Sequence, residues 1–288
     1  MRIDLHAHSS ASDGTDSPAE LVVGARAAGL DVVALTAHDT TDGWAEAEAA
    51  LPAGLTLVPG IELSCRWNPP DAGPGTSLHL LGYLLDPVAP PLVDELARLR
   101  ASRRSRGQRM VAAMIAAGVP VSWDDVHEFA AGGSVGRPHI ARALIRAGLA
   151  GSVDEAFARF LRDGSPYYVP KDDADVLTGI RLVRAAGGVP VFAHPFARRR
   201  GRVVDEAAIV AMAAAGLAGI EVDHADHDPA DRARLRALAA DLGLLVTGSS
   251  DYHGTNKTVR LGAETTDQAG YERLIAQATG STPITATF

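Results

Sequence analysis

Pairs of metal-binding residue types recur two positions apart near both ends of the chain. His6 and His8 form a His-x-His pair, and Asp251 and His253 form an Asp-x-His pair. Residues two apart on a β-strand point to the same face, so both side chains of a pair can reach one ion. A His-x-His pair alone is weak evidence, since two polar residues commonly leave the end of a strand. The pairs therefore need support from the rest of the chain.

Single histidines and carboxylates accompany most of the short apolar segments between these pairs. His38, Glu62 and His194 follow such segments, and His79 stands at the start of another. In parallel β/α barrels the carboxyl ends of the strands build the active site. Chance is a poor account of so many ligand types at strand ends. The pattern predicts one metal centre at one end of a barrel.

The residue types of this centre indicate its chemistry. Mixed imidazole and carboxylate ligands suit Mn, Fe or Zn, and a carboxylate such as Glu62 can bridge two ions through its two oxygens. Clustered divalent ions suit phosphate ester hydrolysis, because they generate hydroxide near neutral pH and hold the attacking and leaving oxygens. The sequence contains no G-x-G-x-x-G and no G-x-x-x-x-G-K-[ST], so dinucleotide-binding and P-loop functions lack support.

Short β-branched segments alternate with alanine-rich helical segments along most of the chain. We predict strands at residues 2–6, 31–36, 55–61, 78–84, 189–192, 219–222 and 244–247. Capping patterns at Ser17, Ser152 and Asp228 predict helix starts. This order implies an α/β fold with a mostly parallel sheet, and seven strands suggest a barrel.

The alternation stops between about residues 87 and 169, where only helical signals remain. We predict helices there at residues 92–117, 123–130, 138–147 and 153–161. The expected domains are a barrel of residues 1–87 and 169–288 and a small helical insert of residues 88–168. Arginines crowd residues 98–109 and 198–202, either as solvated surface or as local sites for one phosphate.

The bulk properties restrict the location and the partners. The 288-residue chain suits one barrel-sized domain with an insert, and a net charge of −8 argues against general nucleic-acid wrapping. Cys65 is the single cysteine, which excludes an intramolecular disulfide. The longest apolar segment, residues 111–121, is shorter than the ~18 residues of a membrane helix. We expect a cytoplasmic protein with no membrane contact and no obligate protein partner.

Seven motifs in chain order resemble those of the PHP (polymerase and histidinol phosphatase) family. They are Asp4-Leu5-His6-Ala7-His8, Ser12-Asp13-Gly14, Thr36-Ala37-His38-Asp39, Gly60-Ile61-Glu62, His79-Leu80-Leu81-Gly82, Ala193-His194-Pro195 and Ser250-Asp251-Tyr252-His253. The family usually has Asp where this chain has Ala37, a change that removes no expected ligand. The resemblance implies a distorted (β/α)7 barrel, similar to a TIM barrel.

The resemblance also implies three positions for divalent metals, with Mn as the expected ion and Fe or Zn as alternatives. His6, His8, Glu62 and Asp251 would hold the first; Glu62, His79 and His194 the second, bridged by Glu62; and Asp13, His38 and His253 the third. We expect catalysis to depend most on Glu62, Asp251 and His194.

Within this family the chain is most similar to the stand-alone 3',5'-nucleotide bisphosphatases and the 5'-to-3' exoribonucleases of the AM type. The motif Gly136-Arg137-Pro138-His139-Ile140-Ala141 resembles their helical insert. Arg137 and His139 are therefore candidates for binding a substrate phosphate. The expected reaction is hydrolysis of phosphate monoesters by metal-bound hydroxide, on 3',5'-bisphosphate nucleotides, mononucleotides or short RNA 5'-ends.

Two other readings of the sequence remain open. The same family contains histidinol-phosphate phosphatases. A non-catalytic metal-binding regulatory module is a second alternative, which predicts missing ligands. Among the remaining histidines, we expect His127 and His227 on the surface, whereas His224 could face the site from its strand end.

Overall fold

The computed structural model describes residues 1–70, 73 and 75–286. These residues form nine strands: β1 Ile3–Asp4, β2 Val32–His38, β3 Thr56–Trp67, β4 Thr76–Tyr83, β5 Ala174–Asp175, β6 Val189–Phe192, β7 Gly219–Asp223, β8 Leu245–Gly248 and β9 Ile284–Thr285. Each of the seven predicted strands is present, although several begin or end at other residues. The two strands that were not predicted, β5 and β9, are two residues long.

Seven of the strands form a nearly closed, barrel-like sheet. Their order is β1-β2-β3-β4-β6-β7-β8, and β5 and β9 pair with β3. The two ends of this order approach each other, because Ala7 forms a parallel bridge to Tyr252 and the His8 backbone N–H donates to the Tyr252 carbonyl at 2.8 Å. The predicted α/β barrel class is therefore confirmed.

One strand of the barrel, β4, runs antiparallel to both of its neighbours, β3 and β6. β3 ends at Trp67 and β4 begins at Thr76, and so short a connection cannot hold the crossover helix that parallel strands need. The start of an antiparallel strand lies at the edge where its parallel neighbours end. His79, near the start of β4, is therefore at the same edge as the ends of β2 and β6.

The described residues also form ten α-helices: α1 Pro18–Ala27, α2 Trp44–Ala49, α3 Pro90–Ala116, α4 Trp123–Ala130, α5 Arg137–Arg146, α6 Val153–Ala156, α7 Val176–Ala185, α8 Glu206–Ala214, α9 Pro229–Leu242 and α10 Gln268–Ile275. A π-helical turn, Phe157–Leu161, continues α6. None of the helices in the described part of the chain is long and apolar enough to cross a membrane.

Side-chain caps fix the predicted helix starts. Ser17 and Glu20 form the complete capping box, with bonds of 3.1 and 2.8 Å. Ser152 caps α6 in the same way, but the reciprocal bond of Glu155 goes to the Gly151 N–H. A cap of this kind stabilises a helix by about 1 kcal/mol.

Helix α3 joins two hydrophobic cores. Leu92, Leu96 and Leu99 on its first turns pack in the barrel core, against side chains of β3, β4 and α7. Met110 and Met114 on its last turns pack in the core of the insert, with α4 and α5. The arginine-rich middle of α3 consequently lies at the seam between the barrel and the insert.

Candidate metal centre

The nine predicted ligands lie together at one end of the barrel. His6 and His8 follow β1, His38 ends β2, His194 follows β6, and Asp251 and His253 follow β8. Glu62 lies within β3, His79 lies within β4, and Asp13 lies in the loop after β1. All are buried except His79, whose side chain is 25% exposed. The topology thus gathers residues from position 6 to position 253 into one cluster.

Glu62 is at the centre of this cluster and divides its two oxygens between different histidines. Its Oε1 lies 2.7 Å from His79 Nδ1 and 3.0 Å from His194 Nε2. Its Oε2 lies 3.0 Å from His8 Nε2, 3.2 Å from His6 Nε2 and 3.3 Å from His38 Nδ1. A carboxylate with a separate set of imidazoles at each oxygen has the arrangement of a ligand that bridges two ions.

Asp13 gathers a further group of histidines. Its Oδ1 lies 3.4 Å from His8 Nδ1 and 3.5 Å from His253 Nε2, and its Oδ2 lies 3.6 Å from His38 Nε2. The ligand atoms of these four residues all lie within 4.8 Å of one another. Asp13 comes from a loop with an ordinary Ser-Asp-Gly turn sequence, so its place in the site depends on the folded barrel.

Several polar atoms of the cluster are close together but do not form hydrogen bonds with one another. Asp251 Oδ1, His38 Nδ1 and His79 Nδ1 are buried and lack a hydrogen-bond partner among the described residues. A buried polar atom without a partner costs about 1–3 kcal/mol, so such atoms call for a ligand. Their positions fit divalent metals, which take lone pairs from imidazole nitrogens and carboxylate oxygens converging on one point.

In the part of the chain that the structure describes, three groups of ligand atoms meet this description. They are His6, His8, Glu62 and Asp251; His38, Glu62 and His79; and His8, Asp13, His38 and His253. The first group equals the first predicted position. The second contains His38 in addition to Glu62 and His79, while His194 approaches the same Glu62 oxygen. The third adds His8 to the predicted set.

Burial and mutual contacts set the protonation of the cluster. Burial opposes ionisation of Glu62, but the histidines around it, His79 first, hold its pKa well below the ordinary value. Burial also opposes charging of His8, yet hydrogen bonds to carboxylates, Asp13 first, raise its pKa to about 10. For His194 burial dominates and lowers the pKa to about 3.

The second oxygen of Asp251 is held by cations. Arg200 Nη2 donates to Oδ2 at 2.6 Å, Lys257 Nζ at 2.7 Å, and His224 Nε2 lies 3.3 Å away. These contacts leave Oδ1 turned toward the first group of ligands. Asp251 also has a left-handed backbone with φ of 52°, a conformation that residues other than glycine rarely adopt and that clusters at functional sites.

Glu221, in strand β7, orients His6 and was not among the predicted site residues. Its Oε1 lies 3.0 Å from His6 Nδ1 and accepts from Ser249 Oγ, and its Oε2 accepts from the His194 N–H at 2.8 Å. A carboxylate on Nδ1 fixes the proton there and leaves Nε2 free for a metal. The feature of the sequence that could have indicated Glu221 was a single carboxylate inside an otherwise apolar strand segment.

A second buried network, also not predicted, connects α3 to the site. Asp39 accepts from the Ser64 backbone N–H at 2.6 Å, from Ser64 Oγ at 2.7 Å and from Arg103 Nε. Ser64 Oγ in turn accepts from Arg103 Nη2 and from Lys171 Nζ, each at 2.7 Å. Burial opposes the charge of Asp39, but Arg103 and then Lys171 hold its pKa well below the usual range. The network fixes α3 beside His38.

The Gly136-Arg137-Pro138-His139 segment begins α5 next to this site. His139 is buried, and its Nδ1 accepts from the Gly136 N–H at 2.9 Å. Arg137 Nη1 donates to the Leu161 carbonyl at 2.9 Å, and its guanidinium lies over the Phe157 ring. Both candidate substrate-binding residues therefore also hold the insert together.

The remaining histidines differ in their surroundings. His127 is exposed, as predicted. The prediction that His227 lies on the surface is wrong: its Nε2 accepts from the Phe196 N–H at 3.1 Å and its Nδ1 lies 2.8 Å from the Val222 carbonyl, so both nitrogens are satisfied inside the fold. His224 faces the site through its contact with Asp251.

Residues 132–136 match the G-x-S-x-G pattern of serine hydrolases, but their structure does not fit that function. The nucleophile of those enzymes sits on a sharp turn between a strand and a helix. Ser134 instead lies between helices α4 and α5, and its Oγ is buried without a hydrogen-bond partner among the described residues. No base among the described residues forms a hydrogen bond with Ser134 Oγ.

Comparisons with known proteins show the family of the chain. The PHP domain family matches residues 4–115. A 5'-3' exoribonuclease of Haemophilus influenzae is 34% identical over 91% of this chain and 93% of the relative. A 3',5'-nucleoside bisphosphate phosphatase of Chromobacterium violaceum is 34% identical over 87% of each chain. The crystal structure of a candidate metal-dependent phosphoesterase from Bifidobacterium adolescentis, 37% identical, covers 96% of each chain with a TM-score of 0.88. The chain belongs to the PHP domain family.

Proposed function

We propose that this PHP-family enzyme hydrolyses phosphate monoesters of nucleotides at a cluster of three divalent metals. The observation that carries the proposal is the divided contact of Glu62, one oxygen toward His79 and His194 and the other toward His6 and His8. The similar exoribonuclease and bisphosphatase support a nucleotide substrate. Small nucleoside phosphates and short RNA 5'-ends are both within this class.

We assign the ligands to three metal positions as the resemblance to the PHP family implies, although His38 also lies near the second position and His8 near the third. His6, His8, Glu62 and Asp251 would hold the first, Glu62 with His79 and His194 the second, and Asp13, His38 and His253 the third. Mn suits this mixture of imidazole and carboxylate ligands. Bound divalent ions would activate water and neutralise charge on the scissile phosphate. The cysteine-free ligand set argues against a structural zinc site of the thiolate type.

The other residues of the site orient these ligands and the substrate. Glu221 fixes the ring of His6, and Arg200 with Lys257 turns Asp251 so that one oxygen faces the cluster. Arg137 and His139 remain our proposed residues on the substrate side. The Arg137 side chain is 27% exposed and lies between α3 and α5.

The test is a hydrolysis assay of the purified, Mn-loaded protein on a panel of phosphate esters. The panel contains a nucleoside 3',5'-bisphosphate, a nucleoside 5'-monophosphate, a 5'-phosphorylated short RNA and histidinol phosphate. We expect phosphate release from nucleotides, stopped by a chelator and absent in Glu62→Gln, which keeps the side-chain shape but loses the charge. Preference for histidinol phosphate would replace the nucleotide assignment, and full activity of the chelated protein or of Glu62→Gln would refute the metal mechanism.

A further inference from the structure

The loop that carries Asp13 is held between the barrel and the insert. Asp13 lies well beyond Asp4, the last residue of β1, so the strand itself does not fix its position. On the barrel side, Asn256 Nδ2 donates to the Asp13 carbonyl at 2.8 Å. On the insert side, the Ser134 N–H donates to the Ala11 carbonyl at 3.0 Å. The place of this ligand therefore depends on both parts of the molecule.

The insert approaches the loop most closely at Gly133, with its backbone. A Cβ at Gly133 would lie 2.6 Å from the Ala11 carbonyl oxygen and 2.7 Å from that of Ser10, and real Cβ atoms essentially never come so close. Gly133 lies outside the left-handed backbone region, so the glycine is required for space alone. The same segment then passes Asp13 itself, since a Cβ at Gly136 would lie 3.5 Å from Asp13 Oδ2.

The end of helix α4 directs this segment toward the loop. Ala131 and Gly132 have left-handed backbones, with φ of 46° and 86°, and such residues end a helix and turn the chain away from its axis. The Gly133 N–H then donates to the Ala130 carbonyl at 2.7 Å. Because Val126 and Ala130 pack in the core of the insert, the position of Gly133 follows from the folding of the insert.

A second contact fixes the insert beside His38, another proposed ligand of the third position. Arg103 in α3 donates from Nε to the Asp39 carboxylate and from Nη2 to Ser64 Oγ at 2.7 Å. Asp39 directly follows His38 and has a left-handed backbone, with φ of 55°. A residue other than glycine keeps this conformation only where its surroundings hold it. Arg103 therefore helps to set the direction of the chain next to His38.

The first metal position, in contrast, is built without the insert. His6 is oriented by Glu221, and Asp251 is held by Arg200 and Lys257, all of which lie outside residues 88–168. Among the described residues, the hydrogen bonds of His6 and Asp251 all stay within the barrel segments. The insert can therefore affect the third position and leave the first one intact.

We propose that the insert positions the ligands of the third metal, with Gly133 acting on the loop of Asp13 and Arg103 on the chain beside His38. The proposal rests on the proposed function, because it concerns one of its three metals. Asp13 belongs to the third group of ligand atoms only, so this residue distinguishes the third position from the other two. The barrel alone holds two metals, and the third binds tightly only while the insert lies against the barrel.

The experiment measures Mn binding by equilibrium dialysis of EDTA-treated protein. The variants are Gly133→Ala, Arg103→Met and Asp13→Ala, of which the last removes a ligand and defines the loss of the third position. Groups that orient a ligand contribute about 10- to 100-fold to metal affinity. In Gly133→Ala and Arg103→Met we expect one of three equivalents to bind that much more weakly, while the other two keep the wild-type affinity. Wild-type affinity for all three equivalents in both variants would overturn the proposal.

Two control variants and one combination guard against a merely structural effect. Gly151→Ala, where a Cβ meets only the mobile end of the Glu155 side chain, and Arg104→Met, exposed on α3, should bind Mn like the wild type. Arg103→Met combined with Asp13→Ala should bind the remaining two equivalents as tightly as Asp13→Ala alone, since both changes act on one position. A further loss in the combination, or equal weakening of all equivalents in Arg103→Met, contradicts the proposal.

Hydrogen exchange without metal separates this inference from the proposed function. The Ser12 and Gly14 N–H groups each donate to the Ser9 carbonyl at 3.0 Å, so their exchange reports on the loop of Asp13. In EDTA-treated protein we expect exchange at least about five-fold faster in Gly133→Ala than in Gly151→Ala, as for the loss of one hydrogen bond. If the wild type binds fewer than three Mn and this difference persists, the three-metal centre is wrong and the positioning of the loop is supported. Equal exchange in the two variants would overturn the inference itself.

Discussion

Glu221 accepts hydrogen bonds at both of its carboxylate oxygens, which makes it sensitive to the replacement of one oxygen by an NH2 group. Its two oxygens serve His6, Ser249 and the His194 backbone, so a glutamine must direct its NH2 group at one of these donors. Glu221→Gln should therefore turn or release His6 and weaken metal binding about 10- to 100-fold. Equilibrium dialysis with Mn measures the effect.

The matched control for this variant is Glu264→Gln. Glu264 pairs with Arg232 on the flank of the barrel, and its loss removes a carboxylate without touching a proposed ligand. Metal affinity should match that of the wild type in this control. If both variants bind Mn equally well, Glu221 does not position His6 for a metal.

At the scale of single residues, the sequence was enough to predict the proposed metal ligands but not the residues that orient them. Strand-end histidines such as His6 and His38 can be recognised in the sequence from their residue type and their position. Glu221 and Arg103 act through partners that are far away in the chain, at positions that only the fold brings near. His227 was mistaken for a surface residue for the same reason, since its partners are backbone groups of a neighbouring loop and strand.

At the scale of elements, the length of strand β3 explains why the sequence did not predict the antiparallel direction of β4. The predicted strand stopped at residue 61, because polar residues such as Glu62 and Ser64 follow, and the next began at residue 78. That gap was long enough for a crossover helix. The observed β3 continues to Trp67, since its polar residues face the site and the α3 network, and the remaining gap allows only an antiparallel return.

Helix α3 is the element that couples the insert to the barrel, and this coupling predicts a stability effect. Leu99 is fully buried in the barrel core, so Leu99→Ala should lower the free energy of unfolding by about 2–5 kcal/mol. Val93, on the same helix, is 39% exposed, and Val93→Ala should change the free energy of unfolding by no more than about 0.5 kcal/mol. Urea unfolding of the two variants measures both free energies. Similar losses of stability in Leu99→Ala and Val93→Ala would mean that α3 is not anchored through Leu99.

At the scale of the whole molecule, the charge of the chain is divided unequally. Residues 88–168 contain eleven arginines and eight carboxylates, a net charge of +3, whereas the rest of the chain has a net charge of −11. The overall value of −8 conceals this division, which follows the predicted boundaries of the insert. A positive insert beside a metal centre attracts anions toward the seam, so the total charge alone understated the capacity for phosphate binding.

The metal cluster should also contribute to the stability of the whole fold. Its ligands come from both ends of the chain, so an ion bound by His6 and Asp251 holds together segments that separate on unfolding. A ligand that binds only the folded state at 100 times its Kd stabilises it by about 2.7 kcal/mol. At roughly 2–4 °C per kcal/mol for a chain of this size class, Mn should raise Tm by about 5–10 °C over EDTA-treated protein. Thermal unfolding followed by circular dichroism measures the difference, and Glu62→Ala, which lacks the central carboxylate, should show a smaller rise. Identical melting temperatures with Mn and with EDTA in the wild type would mean that the cluster does not hold metal in the folded protein.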